Sequence, residues 1–371
     1  MLKGVSEKLR HYIETGEIAG GSILVRKNGE IVHEEYQGFS DIENAVPVSK
    51  DSVFRLASMS KPVAAAAILL LEQEGKLSVT DPVSEYIPEF DGIPVSVKDE
   101  NGEIKTVPCE REMMIEDLLR HRSGMGHTEI SEGLGINRMK AGMTLEARAQ
   151  HIAGVPLDFQ PGAQAGYSAI CAFDVLGRIV EAVSGEKFEA FLQKRFFDPL
   201  SMTDTTFFPD EDQKMRTVRL YDHSSGSLKD AYPKGEYHSP FAYSYPSGSA
   251  GLSGTLSDYG RFAEMLAGRG KEILSKETIR KMADPDKTHA SETGAWGLGV
   301  HVFNQKSVSG RGLSQGTYGW SGAFGTHFYI DPVNDVTFVL MVNRMDIGGS
   351  GSFVSFGMED AVFESLNLLE V

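Results

Sequence analysis

The chain has 371 residues and a formal net charge of −16, from 36 Lys or Arg against 52 Asp or Glu. A length of this order suits one large domain or two interleaved domains, and the negative charge disfavours binding to the phosphate backbone of nucleic acids. The only two cysteines, Cys109 and Cys171, exclude both a disulfide scaffold and a zinc site of four cysteines.

The first residues predict an amphipathic helix over 3–16 and lack the apolar stretch of a signal peptide. The longest apolar run, 63–71, has nine residues, far fewer than the roughly 20 that cross a bilayer. We therefore expect a cytoplasmic protein that binds no membrane. The sequence leaves its oligomeric state open.

The N-terminal third begins with a predicted hairpin, in which two β-rich runs at 21–26 and 30–35 flank an Asn-Gly turn. A buried helix, rich in Ala and Leu, is predicted over 58–74 with Pro62 in its first turn. A second, exposed hairpin is predicted at 94–107.

Helices dominate the middle of the chain and strands return near its end. The predicted helices are 115–121, 143–153, 169–183, 188–197, 257–266 and 276–282, with an irregular stretch at 210–250. The predicted strands are 297–303, 325–330 and 336–342, followed by a helix at 357–368.

This order of elements predicts an α+β fold in which both ends of the chain build one antiparallel sheet flanked by helices. We expect a sheet domain from 1–60 and 210–371 and a mainly helical domain inserted at 61–209. The active site is expected to lie between the two domains.

The first motif that carries chemistry is Ser58-Met59-Ser60-Lys61. Serine and lysine three residues apart on a helix lie on one face, so their side chains can meet. A serine hydroxyl becomes a good nucleophile only when a neighbouring group takes its proton. By itself the pattern is weak, and a helix-capping serine with a solvated lysine is its ordinary meaning. Here the stretch that follows is so apolar that the helix is expected to be buried, which disfavours a solvated lysine at its start.

Two further motifs complete a set. Tyr167-Ser168-Ala169 precedes a predicted helix, and its phenol is a candidate general base or acid. Trp320-Ser321-Gly322-Ala323 is predicted to open a strand that runs from Ala323 to Ile330, where small residues let a substrate approach the backbone. The backbone N–H groups of Ser58 and Ala323 are the candidate oxyanion donors.

Taken together, the three motifs make the sequence resemble the serine β-lactamase-like hydrolases, above all class C β-lactamases and family VIII carboxylesterases. The resemblance covers roughly residues 5–368, because the motifs occur in the family's order and intervening stretches also match. These stretches are 118–125, 197–205 and 247–252. The resemblance implies a β-lactamase/D,D-peptidase-like fold that needs no cofactor and no metal.

Carried over residue by residue, the resemblance implies that Ser58 is the acylated nucleophile. Lys61 would assist proton removal and hold Tyr167, and Tyr167 would act as general base or acid. Which of the two takes the proton stays open. Trp320, Ser321 and Gly322 would contact the substrate.

The sequence departs from the lactamases of the family at two positions. Ala169 stands where those enzymes usually have Asn, and Trp320 stands where they usually have Lys or His. The lost cation would face a substrate carboxylate, and a charge-assisted contact of this kind contributes about 1.5–3 kcal/mol. An aromatic residue there is similar to the esterase branch, and Arg344 is the only substitute cation that we consider.

Other candidate sites are weaker. Ser314 lies in a Gly-x-Ser-x-Gly pattern, but the α/β-hydrolase elbow needs a helix directly after the serine, and a strand is predicted instead. His121 and His127 flank a glycine-containing turn and are expected to be capping or hydrogen-bonded loop residues. No histidine pair has the spacing of metal ligands.

We therefore predict a serine hydrolase that forms an acyl-enzyme, above all a carboxylesterase acting on small acyl esters. The alternatives are a β-lactamase, D,D-peptidase or D-aminopeptidase of the same superfamily, and a non-catalytic protein that kept the fold. The presence of Ser58, Lys61 and Tyr167 together argues against a non-catalytic protein.

Overall fold

A computed structural model describes residues 1–140, 142–232, 244–305 and 312–368. Part of the irregular stretch predicted at 210–250 therefore lies outside the described residues. Within these ranges, none of the helices combines the length and the apolar character needed to cross a bilayer.

Long strands lie near both ends of the chain and helices dominate its middle, as predicted, and several short elements that were not predicted occur between them. The helices are α1 Lys3–Glu14, α2 Ser60–Gln73, α3 Ile115–Leu119, α4 Glu129–Gly133, α5 Leu145–Ala153, α6 Ala172–Ser184, α7 Phe188–Leu192, α8 Glu211–Arg216, α9 Leu256–Leu266, α10 Lys276–Met282 and α11 Phe353–Ser365. The strands are β1 Gly20–Lys27, β2 Glu30–Asp41, β3 Val46–Pro47, β4 Phe54–Arg55, β5 Val95–Lys98, β6 Ile104–Val107, β7 Tyr221–Asp222, β8 Lys229–Asp230, β9 Ser253–Gly254, β10 Ala295–Trp296, β11 His301–Val302, β12 Tyr318–Ser321, β13 His327–Asp331 and β14 Val336–Val342.

Both ends of the chain contribute to one eight-stranded sheet, as predicted, in the order β10-β11-β12-β13-β14-β1-β2-β3. Its neighbouring strands pair antiparallel, and the central pair joins Gly21 to Val342. Every residue of β14 is buried, which is expected of a continuous apolar strand covered on both faces. The predicted α+β fold is therefore confirmed, while the exact domain boundaries stay a prediction.

Two apolar layers cover the sheet. On one face α1 and α11 pack together through residues such as Val5, Leu9 and Val362. On the other face a larger core surrounds α2, which is buried from Ser60 to Leu71. A helix that is apolar all round has no solvent-facing side and belongs in the interior. The larger core also takes in the inserted helices, including α6, so α2 is enclosed between the sheet and those helices.

Several predicted boundaries need correction. The strand predicted at 297–303 is reduced to β11, because the chain turns at Gly299, whose φ is +84°. The final helix begins at Phe353 rather than at 357, since Ser352 caps it by accepting a hydrogen bond from the Ser355 N–H. The helix predicted at 188–197 is α7 followed by a wider π-helical turn.

Candidate active site

Ser58 lies in a short 3₁₀ turn, Ala57–Met59, that leads directly into α2. Ala57 has φ of +47°, a left-handed conformation that is uncommon outside glycine. The flanking Ala57 and Met59 are buried, whereas Ser58 is half-buried. The turn thus presents the Ser58 hydroxyl at the edge of the core, beside the N–H groups of a helix start that have no partner within the helix.

Lys61 is buried, and its Nζ reaches three oxygen atoms. It lies 3.1 Å from Ser58 Oγ, 2.7 Å from the Ala169 carbonyl and 2.8 Å from the Ser249 carbonyl. An ammonium group has three N–H donors, and the three acceptors match them. The expected contact between Ser58 and Lys61 is present, and Lys61 is held by two carbonyls from distant segments.

Tyr167 approaches Ser58 from the opposite side. Its Oη lies 2.9 Å from Ser58 Oγ, and the Trp320 indole N–H donates to Tyr167 Oη over 3.2 Å. Lys61 contacts Tyr167 through the aromatic ring, with Nζ 5.0 Å from the ring centroid. These four residues, Ser58, Lys61, Tyr167 and Trp320, are called the Ser58 cluster below.

The third motif ends a strand instead of opening one, which corrects the predicted strand from Ala323 to Ile330. Trp320 and Ser321 close β12, residues 322–326 turn, and β13 begins at His327. Thr326 Oγ1 donates to the Leu56 carbonyl, and a Cβ on Gly322 would lie 2.2 Å from the same carbonyl oxygen. The turn therefore packs closely against the segment that carries Ser58.

Ser321 points away from Ser58. Its Oγ lies 2.6 Å from Nδ1 of His327, and Nε2 of His327 lies 2.6 Å from Oε1 of Glu359 on α11. All three side chains are buried, and they are called the Ser321 cluster below. The hydroxyl of Ser321 is thus engaged behind the strand, so only the backbone of this residue faces the side of Ser58.

His121 supports Tyr167 from behind. It is fully buried, its Nδ1 accepts a hydrogen bond from the Ser168 N–H over 3.1 Å, and its ring centroid lies 4.6 Å from that of Tyr167. Burial, reinforced by the charge of Lys61, holds the pKa of His121 well below its usual range. The histidine is hydrogen-bonded, as expected, but its packing against Tyr167 was not predicted.

A buried carboxylate supports Lys61 indirectly. Asp174 accepts hydrogen bonds from the Ser249 N–H and from the Ser247 hydroxyl, over 3.1 and 2.6 Å. Its other oxygen lies 3.5 Å from Nε of Arg148. Asp174 thus fixes the Ser249 peptide, whose carbonyl holds Lys61. The signal for it was available in the sequence as a charged residue within the apolar stretch of α6.

Both tryptophans of the chain lie beside Tyr167. The ring centroids of Trp296 and Trp320 are 4.5 Å apart, and His301 lies 5.5 Å from Trp296. Trp296 also stacks nearly parallel to Tyr167, with 5.7 Å between centroids. Trp296, His301 and Trp320 are all half-buried, and they are called the aromatic wall below.

Arg344 does not supply the missing cation. Its guanidinium is paired with Glu17 and with Asp346 at 2.9 Å each, and the pKa of Arg344 is raised, first by the hydrogen bond with Asp346. The suggested substitute is therefore already neutralised by two carboxylates.

The remaining candidates lie apart from this arrangement. Ser314 is bonded to Asn334 and Asp331, and β12 rather than a helix follows it. His127 is exposed, and its backbone N–H donates to Asp158. In the part of the chain that the structure describes, no group of three His, Cys, Asp or Glu side chains is placed to bind a metal ion.

Comparison with known sequences shows that most of the chain matches one family model and several curated proteins. The family model described as Beta-lactamase matches residues 5–353. Protein Rv1367c of Mycobacterium tuberculosis is 31% identical over 369 residues, which cover 92% of this chain and 90% of that protein. Esterase EstB of Burkholderia gladioli is 29% identical, covering 93% and 91%. A putative D-alanyl-D-alanine carboxypeptidase of Escherichia coli K12 is 28% identical, covering 87% and 78%.

Solved structures also resemble this chain over nearly its whole length. EstCE1, a hydrolase with promiscuous acyltransferase activity, is 25% identical and superimposes with a TM-score of 0.82 over 97% of this chain and 98% of its own. The octameric penicillin-binding protein homologue from Pyrococcus abyssi is 21% identical, with a TM-score of 0.75 over 98% of this chain and 77% of its own. The second likeness concerns the fold alone.

Proposed function

This chain belongs to the Beta-lactamase family, and on that premise we propose that it is a carboxylesterase of the family VIII type. It hydrolyses small, neutral acyl esters through an acyl-enzyme on Ser58. The observation that carries the proposal is the position of Ser58 Oγ, 3.1 Å from Lys61 Nζ and 2.9 Å from Tyr167 Oη. Its likeness to Esterase EstB supports the choice of ester substrates.

Acylation begins when Ser58 Oγ attacks the ester carbonyl carbon. The N–H groups of Ser58 and Ala323 receive the negative charge that develops on the carbonyl oxygen. Ala323 is suited to this role because it lies half-buried in the turn after β12, which packs against the Ser58 segment.

Tyr167 carries the proton in this scheme. Nζ of Lys61 lies within hydrogen-bond distance of three oxygen atoms, and in this scheme its ammonium group acts as a fixed positive charge. Tyr167 acts in this scheme as the phenolate, whose oxygen receives the Trp320 N–H, and this oxygen takes the proton of Ser58 across 2.9 Å. Tyr167 then donates the proton to the alkoxide as the ester C–O bond breaks, and the alcohol leaves.

Deacylation repeats these steps with water. A water molecule attacks the acyl carbon and gives its proton to Tyr167, and the acyl bond to Ser58 Oγ breaks as the proton returns to that oxygen. The products are the carboxylic acid and the free enzyme. Tyr167 thus serves as base and then acid in both halves.

The likeness to a protein named as a putative D-alanyl-D-alanine carboxypeptidase favours a second candidate, a peptidase or β-lactamase of the same family. Substrates of that kind carry a carboxylate next to the scissile bond. In the described part of the site, Trp320 occupies the position of the family's cation and Arg344 is neutralised by Glu17 and Asp346. This arrangement favours a neutral ester over an anionic peptide or β-lactam.

The test compares wild type with Ser58→Ala and Ser314→Ala on two panels, p-nitrophenyl esters of rising acyl length and a chromogenic cephalosporin. We expect rapid ester hydrolysis that Ser58→Ala abolishes and Ser314→Ala preserves, with slow or absent cephalosporin turnover. A fluorophosphonate probe should label Ser58 in the folded protein, which a non-catalytic protein would not allow.

Two outcomes would overturn the proposal. Efficient cephalosporin turnover would make the protein a β-lactamase in spite of Trp320. An inactive Ser314→Ala beside an active Ser58→Ala would move the nucleophile to another part of the molecule. Circular dichroism of both variants establishes that a loss of activity is not a loss of fold.

A further inference from the structure

The aromatic wall lies on one particular side of the nucleophile. The Trp320 indole nitrogen is 3.2 Å from Tyr167 Oη, and the Trp296 ring lies 4.5 Å from that of Trp320. Together with His301, these rings form a half-buried aromatic surface beside Tyr167.

The position of Tyr167 decides which part of the substrate meets this surface. The group that protonates the leaving oxygen must lie within hydrogen-bond reach of it, so the alcohol side of the ester departs at Tyr167 Oη. The substituent on that oxygen then runs along Trp320 towards Trp296. The acyl group stays bonded to Ser58 after the alcohol has left, so the part of the ester that leaves at Tyr167 is the alcohol.

The charges around the wall exclude an anionic substituent. Burial lowers the pKa of His301 to about 4, so its imidazole is neutral at pH 7. Lys61 is occupied by three oxygens, and the Arg120 guanidinium donates to the carbonyls of Asp284 and Trp296. The cationic groups of Lys61 and Arg120 are therefore already bound to oxygen atoms of the protein.

We propose that the alcohol part of the substrate carries a flat, uncharged aromatic ring that packs against the aromatic wall. This inference rests on the proposed function, because it takes Tyr167 as the proton donor to the leaving alcohol. Aromatic rings gain from offset-stacked or edge-to-face contacts beyond the burial of their area, and the three rings of the wall offer both faces and edges. Arylmethyl esters are the simplest substrates of this class.

The experiment uses benzyl acetate and cyclohexylmethyl acetate, which share an acyl group and a primary alcohol of similar size. The saturated ring is the more hydrophobic, so simple burial favours cyclohexylmethyl acetate and only a ring–ring contact favours benzyl acetate. Each kcat/KM is divided by the rate of alkaline hydrolysis of the same ester, which removes differences in intrinsic reactivity.

We expect wild type to prefer benzyl acetate about three- to tenfold. Trp296→Leu should bring the ratio to about one or below, and Trp296→Phe should retain it. Phe208→Leu, which changes an exposed aromatic residue outside the wall, is the matched control and should leave the ratio unchanged. A wild-type ratio at or below one, or an unchanged ratio in Trp296→Leu, would overturn the inference.

Failure of the proposed function gives a different pattern, in which neither ester is hydrolysed. Because both tryptophans of the chain lie in the wall, tryptophan fluorescence then reports binding directly. Wild type is titrated with benzyl alcohol and with cyclohexylmethanol. A fluorescence change with benzyl alcohol but not with cyclohexylmethanol would support the aromatic binding site. Equal changes with both alcohols, or no change with either, would overturn this inference together with the proposed function.

Discussion

Two serines of this protein sit in hydrogen-bonded clusters, one on each side of β12. The Ser321 cluster, with its histidine and glutamate, has the residue types of a Ser-His-carboxylate triad. The Ser58 cluster has a lysine and a tyrosine instead. Yet Ser321 is 2% exposed and faces α11, whereas Ser58 is half-buried beside backbone N–H groups. Residue types alone therefore do not identify a nucleophile. The serine must also be accessible to the substrate and lie beside N–H groups that can stabilise an oxyanion.

The difference assigns the Ser321 cluster a structural role. Ser321 and His327 are direct partners across the β12–β13 pair, and Glu359 ties that pair to α11. The cluster thus holds the base of the hairpin whose opposite face carries Trp320. The predictions below test this division between the two clusters.

The largest effect is expected from the Ser58 cluster. Tyr167→Phe and Lys61→Ala should each lower kcat/KM by about 10²- to 10⁴-fold, the range of general acid–base catalysis, since one removes the proton carrier and the other its fixed charge. The measurement is the hydrolysis of a p-nitrophenyl ester. Tyr318→Phe is the matched control, because that hydroxyl, on β12, donates to the Leu266 carbonyl and belongs to neither cluster.

If Tyr318→Phe were as inactive as Tyr167→Phe, the catalytic role of the Ser58 cluster would be contradicted. The loss of activity would then follow from removing any buried tyrosine hydroxyl. The control should lose stability and keep its activity.

A second, smaller effect concerns pH and the histidines on the two sides. His327 bonds a carboxylate, whereas His301 has a pKa lowered to about 4 by burial. Below about pH 6.5 the unfolded chain binds a proton that folded His301 does not, so the free energy of unfolding decreases as pH falls. From pH 7 to pH 5 the loss from His301 is about 2 kcal/mol.

Urea unfolding at the two pH values measures this loss, and His301→Gln should reduce the difference by about that amount. The buried His121, whose pKa is also lowered, adds to the remaining dependence in the same direction. An identical pH dependence in wild type and His301→Gln would show that His301 is not the group that titrates.

The smallest effect is expected from Ser321→Ala. It removes one hydrogen bond to His327, which contributes about 1 kcal/mol to stability, and it leaves the Ser58 cluster intact. The free energy of unfolding should fall by this amount while kcat/KM changes less than about threefold. A loss of activity as large as that of Ser58→Ala would instead make Ser321 part of the catalytic machinery.

The sequence predicted most of the fold because its signals are local. Periodic apolar patterns and turn residues indicated most of the helices and the hairpins, and the three motifs brought Ser58, Lys61, Tyr167 and Trp320 to attention. The continuous strand predicted at 297–303 was wrong because the positive φ of Gly299 breaks a run that looks uniform in composition.

The rest of the site depends on contacts between distant segments. Trp296 and His121 gain their roles only because the fold brings both rings against Tyr167. Arg344 looked like a spare cation because its partner Glu17 is 327 positions away in the sequence. The direction of Ser321 was predictable in principle, since side chains alternate along a strand and Trp320 had already been assigned to the substrate side.

The central strand pair has a consequence for how the protein is made. Gly21 pairs with Val342, so the middle of the sheet closes only after the ribosome has added some 320 further residues. At roughly 5–20 residues per second this takes on the order of 15 to 65 seconds. During that interval the apolar α2 has been synthesised but has no completed sheet to pack on. Until that last strand arrives, the exposed apolar surface of this helix is therefore prone to aggregate.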